Sequence, residues 1–252
     1  MTRTFSPAGS TNTTRLDPDA VAEFFEARAN RIEEVGPMRA VIYQDKQHDL
    51  AARRDAVEVA CLMPLLRLDG RQQLLDVGCG TGRWTGRVAP LVASYHGIDF
   101  SDGLLDHARK THEAQPHCGF TRMRAEDISR NSLGESAFDR ILCAGVCIYL
   151  NDDELIRMLT GMGQVAMPVC RIVLREPVGL NSRLTLAGHY SEELEHDYHA
   201  IYRTESELER MIETTLGTAG FKPTARGDVY ERAEMNNRVE TRQRWLLLER
   251  HE

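Results

Sequence analysis

What the chain lacks narrows it first. Its 252 residues hold no positive excess: 31 Lys and Arg stand against 38 Asp and Glu, a formal net charge of −7. Binders of nucleic acid or anionic membrane usually carry a basic surplus, so both are disfavoured as partners. No Asn/Asp-Pro-Pro-aromatic stretch is present to stack a flipped base. No apolar run approaches the roughly 18 residues of a spanning helix. The N-terminus has no apolar stretch of the signal-peptide kind. The six cysteines form no C-x-x-C pair, and the nine histidines show no H-E-x-x-H or kindred metal spacing. Cys143, Cys147 and Cys170 lie inside apolar runs, where Cys behaves as a small hydrophobe. These absences predict a reduced, cytoplasmic protein without a metal, without a membrane or nucleic-acid partner, and without internal repeats.

What is present is ordinary in bulk. Apolar residues make up 42% and charged ones 27%, which suits one α/β domain with additions. The informative stretch is Leu74-Leu75-Asp76-Val77-Gly78-Cys79-Gly80-Thr81-Gly82. Leu74, Leu75 and Val77 read as a strand buried on both faces. Alternate glycines then permit a sharp bend and leave bare main chain for a ligand to lie on. Arg83 to Leu91 reads as a helix, which sets the bend at a helix N-terminus. A dinucleotide fingerprint needs a third glycine at position 83, which is Arg. That residue speaks against an NAD-dependent dehydrogenase. Asp76, two residues before the first glycine, would repel a pyrophosphate and suits a ligand bearing an ammonium and a sulfonium.

On these residues the stretch resembles the first motif of the class I S-adenosylmethionine-dependent methyltransferases. The resemblance implies a Rossmann-like, doubly wound, seven-stranded, mostly parallel sheet whose last strand runs antiparallel. It also implies S-adenosylmethionine as the cofactor, with Asp76, Gly78, Cys79, Gly80 and Gly82 at its methionine part. Further along, Ser94 to Asp99 reads as a short strand ending in an acid about 20 residues past the bend. That places Asp99, followed by Phe100, to accept from ribose hydroxyls. Glu126, Asp127 and Ile128 resemble the turn that holds the adenine. Phe138 to Leu150 resembles the segment beneath the reacting methyl, where Ala144 and Gly145 leave room for the methionine part.

The flanks suggest the rest. Residues 1–15, rich in Ser, Thr and Gly, read as a flexible tail. Residues 16–69 read as an N-terminal helical lid, with a helix starting at Asp17-Pro18 and a second from about His48 to Leu66. A plain helical cap over a sheet face is the other reading. Residues 70–252 form the methyltransferase domain, with a substrate insertion at about 179–203. Tyr43, with Gln44 and Asp45, lies in a break between helices and is a candidate to touch the substrate. Tyr149, Arg175, Tyr190, Tyr202 and Arg203 are the other substrate candidates. Tyr149 reads equally as a core tyrosine, and Arg175 and Glu176 read equally as a structural clamp. The insertion also holds Glu192, Glu193, His196 and Tyr198. Its other reading is a surface helix from Ser191 to Ala200. For a hydroxyl acceptor the base candidates are His189 and His199, with Glu176 as the acidic alternative.

The expected activity is methyl transfer to a small molecule of natural-product or sugar type, on oxygen first, nitrogen next and carbon third. A homodimer is a possible assembly. The competing class is a non-methylating protein that uses bound cofactor as an electrostatic or structural element.

Overall fold

A computed structural model describes residues 2–7, 14–42, 48–134, 136–192, 194–236 and 238–251. The chain begins with strand β1 (Thr2–Ser6) and the helices α1 (Pro18–Asn30), α2 (Ile32–Val35), α3 (Pro37–Ile42) and α4 (His48–Leu66). The alternating part follows as β2 (Gln73–Val77), α5 (Thr85–Val88), β3 (Ser94–Asp99), α6 (Asp102–Thr111), β4 (Cys118–Arg122) and β5 (Phe138–Ala144). Then come α7 (Asp152–Val165), β6 (Ala166–Gly179), β7 (Arg183–Ser191), β8 (His196–Tyr202), α8 (Glu205–Ile212), β9 (Lys222–Asp228) and β10 (Thr241–Arg250). No helix among the described residues is long and apolar enough to cross a membrane.

The main sheet has seven strands in the order β4-β3-β2-β5-β6-β10-β9. Only β10 runs against its neighbours, β6 on one side and β9 on the other. Strand order reverses between β2 and β5, and in such sheets the crevice above that point receives ligands. Successive residues of the central strands serve opposite faces. Leu75, Val77, Ile98 and Ile141 pack against Leu155, Met158, Leu159 and Met162 of α7. Leu74, Tyr95, Leu142 and Val173 pack on the other face against Leu62 and Leu66 of α4. The α7 face requires close approach, because a Cβ on Gly161 would stand 2.1 Å from the Ile128 carbonyl oxygen.

Helix starts follow the cap residues. The Asp17 side chain accepts from the Asp19 N–H at the start of α1. Asn151 and Glu154 form a reciprocal capping box on α7, and Thr204 and Glu207 do the same on α8.

Three expectations need correction. The first concerns residues 1–15: Thr2–Ser6 is a strand, paired antiparallel with β7 from Thr2 opposite Ala187 to Ser6 opposite Arg183. Second, the insertion's other reading, a surface helix from Ser191 to Ala200, is not what forms. The insertion is the hairpin β7–β8, which with β1 forms a separate three-stranded sheet. Alternation decides this, since Tyr198, Ala200 and Tyr202 fall on one strand face, a period of two. Third, the segment after the glycine bend is not a helix from Arg83 to Leu91. It is a turn, one helical turn at Thr85–Val88, and a 3-10 turn at Ala89–Leu91 that contains Pro90. With so short a helix, the dipole is a small part of the site.

The N-terminal block divides. Helix α4 covers the main sheet, whereas α1 joins the small sheet in a third core. There Val21, Phe24 and Phe25 pack with Leu184, Leu186, Ala200, Tyr198 and Tyr202. The roof over the crevice is therefore built from two distant segments. Gly161→Ala should lower unfolding free energy by about 2 kcal/mol, the usual cost of forcing atoms into a packed contact. Gly217→Ala, where the nearest atom is 3.7 Å away, should change it little. Denaturant midpoints of the two variants check this.

Candidate active site

One cavity opens above the reversal point. Its floor is the bend after β2. Gly78 and Gly82 have φ of 72° and 78°, in the left-handed region where a side chain is strained. A Cβ on Gly78 would meet Val146 Cγ2 at 2.4 Å, so this bend and the exit loop of β5 touch because position 78 is bare. Gly82 faces away from the cavity and packs beneath His112. Asp76, Gly78, Cys79 and Gly80 line the floor, with Ala144 and Gly145 beside them.

Two buried carboxylates stand at adjacent strand tips. Asp99 Oδ2 accepts the Gly80 N–H at 2.9 Å and Oδ1 accepts the Ser101 N–H at 3.0 Å. Each oxygen keeps a further lone pair for a ligand hydroxyl. Asp76 Oδ2 accepts from the Tyr95 hydroxyl at 2.7 Å, and that hydroxyl accepts from Thr85 Oγ1 at 2.7 Å. Burial pushes both carboxyls up from 3.8 to about 6; the hydrogen bonds to each offset only part of that push. Such a pair suits a ligand that brings positive charge and hydroxyl donors.

The exit loop of β5 is held from below. Glu176 Oε1 accepts three consecutive backbone N–H groups, from Gly145 at 3.1 Å, Val146 at 2.8 Å and Cys147 at 3.1 Å. Glu176 is buried and outside the cavity lining, so its place as an alternative base gives way to that of a loop anchor. Arg175 does not pair with it. The Arg175 guanidinium pairs with Glu58 of α4 and lines the cavity. Cys143, Cys147 and Glu176 cluster within 4.8 Å, and Cys147 is held as the thiol by contact with Cys143 and by burial.

The other side-chain expectations divide. Phe100, Glu126, Tyr149 and Tyr202 line the cavity. Asp127 is exposed, and Ile128 sits in the core under α7, so Glu126 is the member of that turn that faces the cavity. His189 and His199 are outside the lining; the His199 ring accepts from the Gly188 N–H at 3.3 Å. No histidine is among the described residues that line the cavity. Tyr190 is 46% exposed on the hairpin. Arg203 is a clamp: it donates to the Cys147 and Leu150 carbonyls at 2.7 Å each and pairs with Asp152 at 2.6 Å. Tyr43, Gln44, Asp45 and Glu193 lie outside the described residues.

The structure joins three tyrosines that the sequence reading had named, and it adds a group that the reading missed. Tyr198 hydrogen-bonds Tyr149 at 3.0 Å and Tyr202 at 3.4 Å, a chain of three phenols on the cavity wall. Arg54, Glu58, Arg83, Trp84, Tyr230 and Gln243 also line the cavity. Arg54 and Glu58 stand four apart on α4, which reads from sequence as a solvated helix pair. Arg83 bridges Asp55 at 2.8 Å and Glu58 at 2.6 Å.

The comparisons agree with this geometry. Residues 74–168 match the family described as "Methyltransferase domain". Over 131 residues, 52% of this chain and 47% of the relative, it is 30% identical to an O-methyltransferase of Pyrenophora dematioidea. Over 137 residues, 52% of this chain and 51% of the relative, it is 34% identical to a dTDP-4-amino-2,3,4,6-tetradeoxy-D-glucose N,N-dimethyltransferase of Saccharopolyspora spinosa. The chain thus spans about half the length of these curated relatives. Phosphoethanolamine N-methyltransferase 1 of Haemonchus contortus, solved with phosphoethanolamine and S-adenosylhomocysteine, shares the fold. The TM-score is 0.71 at 16% identity, over 94% of this chain and 50% of that one.

The two raised carboxyls give a stability prediction. An acid whose folded value is raised favours the native state below 3.8 and loses that contribution as pH rises to about 6. Measured relative to wild type, Asp76→Asn should therefore gain roughly 1 kcal/mol of stability between pH 5 and pH 8. Denaturant titrations at the two pH values check the sign.

Proposed function

We propose that this chain transfers a methyl group from S-adenosylmethionine to a small-molecule acceptor, on oxygen, in natural-product or sugar tailoring. The observation that carries the reading is the bare bend at Gly78 and Gly80 between two buried strand-tip carboxylates, Asp76 and Asp99, in one cavity. The O-methyltransferase and the amino-sugar N,N-dimethyltransferase among the relatives support the acceptor class.

S-adenosylmethionine supplies an electrophilic methyl on a sulfonium. Asp99 accepts the ribose hydroxyls, and Asp76 offsets the positive charge of the methionine part. Val21 and Phe25 of α1, with Val41 and Ile42 of α3, close the cavity against water. The phenols of Tyr149, Tyr198 and Tyr202 hydrogen-bond the acceptor oxygen and orient it, the work that such a displacement chiefly requires. The described lining holds no histidine but does hold the carboxylate Glu126, so proton removal from a hydroxyl acceptor falls to a lining carboxylate or to the acceptor's own acidity.

Calorimetric titration with S-adenosylhomocysteine should show binding, and Asp99→Ala should weaken it by about 2 kcal/mol. Affinity should fall as pH drops through about 6, because protonation removes the Asp99 acceptor. Transfer of labelled methyl to a pool of phenols separates this reading from a protein that holds the cofactor without using it. Absence of binding at millimolar ligand overturns it.

A further inference from the structure

The cofactor reading gives Asp76 a task and leaves open what holds that carboxylate in place. On one face of the sheet Leu74 and Asp76 of β2 stand level with Tyr95 and Gly97 of β3. Gly97 is bare, so no side chain of β3 stands level with Asp76, and Tyr95 reaches forward to it. The Tyr95 hydroxyl donates to Asp76 Oδ2 at 2.7 Å and accepts from Thr85 Oγ1 at 2.7 Å. All three residues are buried. The Thr85 proton takes a lone pair of the phenol oxygen and so turns the phenol's own proton toward the carboxylate. Bonds in such a series strengthen one another.

Asp76 has one oxygen left. Oδ1 accepts no hydrogen bond from the described residues and, unlike the enclosed Oε2 of Glu176, is not shut away: Asp76 lines the cavity. The other groups around this carboxylate come from each flanking element. Arg83, past the bend, favours its charge, but Asp55 and Glu58 of α4 share that guanidinium; Asp99, at the tip of β3, opposes it. Burial keeps Cys79 of the bend as a thiol. In Cys143 of β5 the hydrogen bond with Cys147 pulls the other way, and burial outweighs it. Tyr95 is thus the hydrogen-bond donor that Asp76 has among the described residues.

We infer that Tyr95, with Thr85 behind it, is a positioning residue that holds Asp76 with Oδ1 turned to the ammonium of the cofactor's amino-acid part. The inference deepens the methyltransferase reading and rests on it. The terminal torsion of an aspartate is broad, so an untethered carboxylate samples many orientations. A carboxylate is planar, so fixing Oδ2 fixes Oδ1 as well. The same bond favours the ionised form, because the phenol O–H donates to the charged carboxylate. Loss of the hydroxyl therefore removes both the orientation and part of the charge. A tyrosine present only for packing does neither; its ring, among Leu62 and Leu66 and tilted against Phe120 at 5.8 Å, would serve as well without the oxygen.

S-adenosylhomocysteine and 5′-methylthioadenosine, which lacks the amino-acid part, are titrated calorimetrically into wild type and Tyr95→Phe across the neutral pH range. The ratio of the two affinities isolates the seat of the amino-acid part, because Asp99 acts on the ribose of both. Tyr95→Phe keeps the ring and should lower S-adenosylhomocysteine affinity about fivefold near neutral pH, the range for one hydrogen bond. Its affinity for 5′-methylthioadenosine should stay as in wild type. In wild type the ratio should fall as pH drops through about 6, where Asp76 takes up a proton. In Tyr95→Phe that fall should begin about 0.5 higher in pH. Thr85→Val, which removes the support and leaves the phenol, should lower the ratio about twofold and serves if Tyr95→Phe does not fold. The inference is overturned if Tyr95→Phe lowers both affinities equally, or if it leaves the ratio and its pH profile unchanged. It is also overturned if wild type binds the two compounds equally well. Failure of both compounds to bind wild type sinks the methyltransferase reading instead.

Discussion

The contact on which the site depends is that of the Gly78 bend with Val146. Two strand exits meet there because one has no side chain: a Cβ would be 2.4 Å from the valine methyl. Asp99 then ties the bend sideways by accepting the Gly80 N–H. Glu176 ties the facing loop from beneath through three N–H groups. Each anchor is a buried carboxylate holding main chain, so the floor of the cavity is fixed without side chains intruding. Preorganised main chain of this kind costs no rearrangement when a ligand arrives.

The roof obeys a different constraint. Helix α1 has no sheet of its own to pack on, and the hairpin β7–β8 leaves the main sheet. They cover each other through Phe24, Phe25, Leu184 and Leu186, and Tyr198 and Tyr202 come from that shared core to the cavity wall. Phe25 meets Tyr149 edge to face at 4.9 Å, which joins this roof to the exit loop of β5. That contact and the Tyr149–Tyr198 hydrogen bond join the phenol wall of the cavity to the loop beside its floor. Arg183 and Arg203, both paired with Asp152 at the start of α7, fasten the hairpin at its base.

What could be read from sequence was what is local. The run Leu74–Gly82 carries its own geometry, since strand, bend and acid lie within nine residues. Asp99 was reachable by its distance from the bend, and the Asp17 and Asn151 caps by residue type. What could not be read depends on partners far along the chain. Glu176 and Arg203 have the composition of site residues, and only the fold shows their hydrogen bonds turned to loop carbonyls and amides. His189 and His199 drew notice because histidine is the usual base, yet the chemistry of a residue does not say which side of a hairpin it occupies. Arg54 and Glu58 had the spacing of a solvated helix pair. They face the cavity because α4 lies over the sheet with that side inward, a fact of packing that no window of sequence contains.

A structure of the chain with S-adenosylhomocysteine bound tests the central claim most directly. The account predicts the sulfur compound lying along Gly78 to Gly80, with its ribose hydroxyls at hydrogen-bond distance, about 2.6–3.0 Å, from the Asp99 carboxylate. A ligand seated elsewhere, or one whose ribose leaves Asp99 untouched, would contradict it.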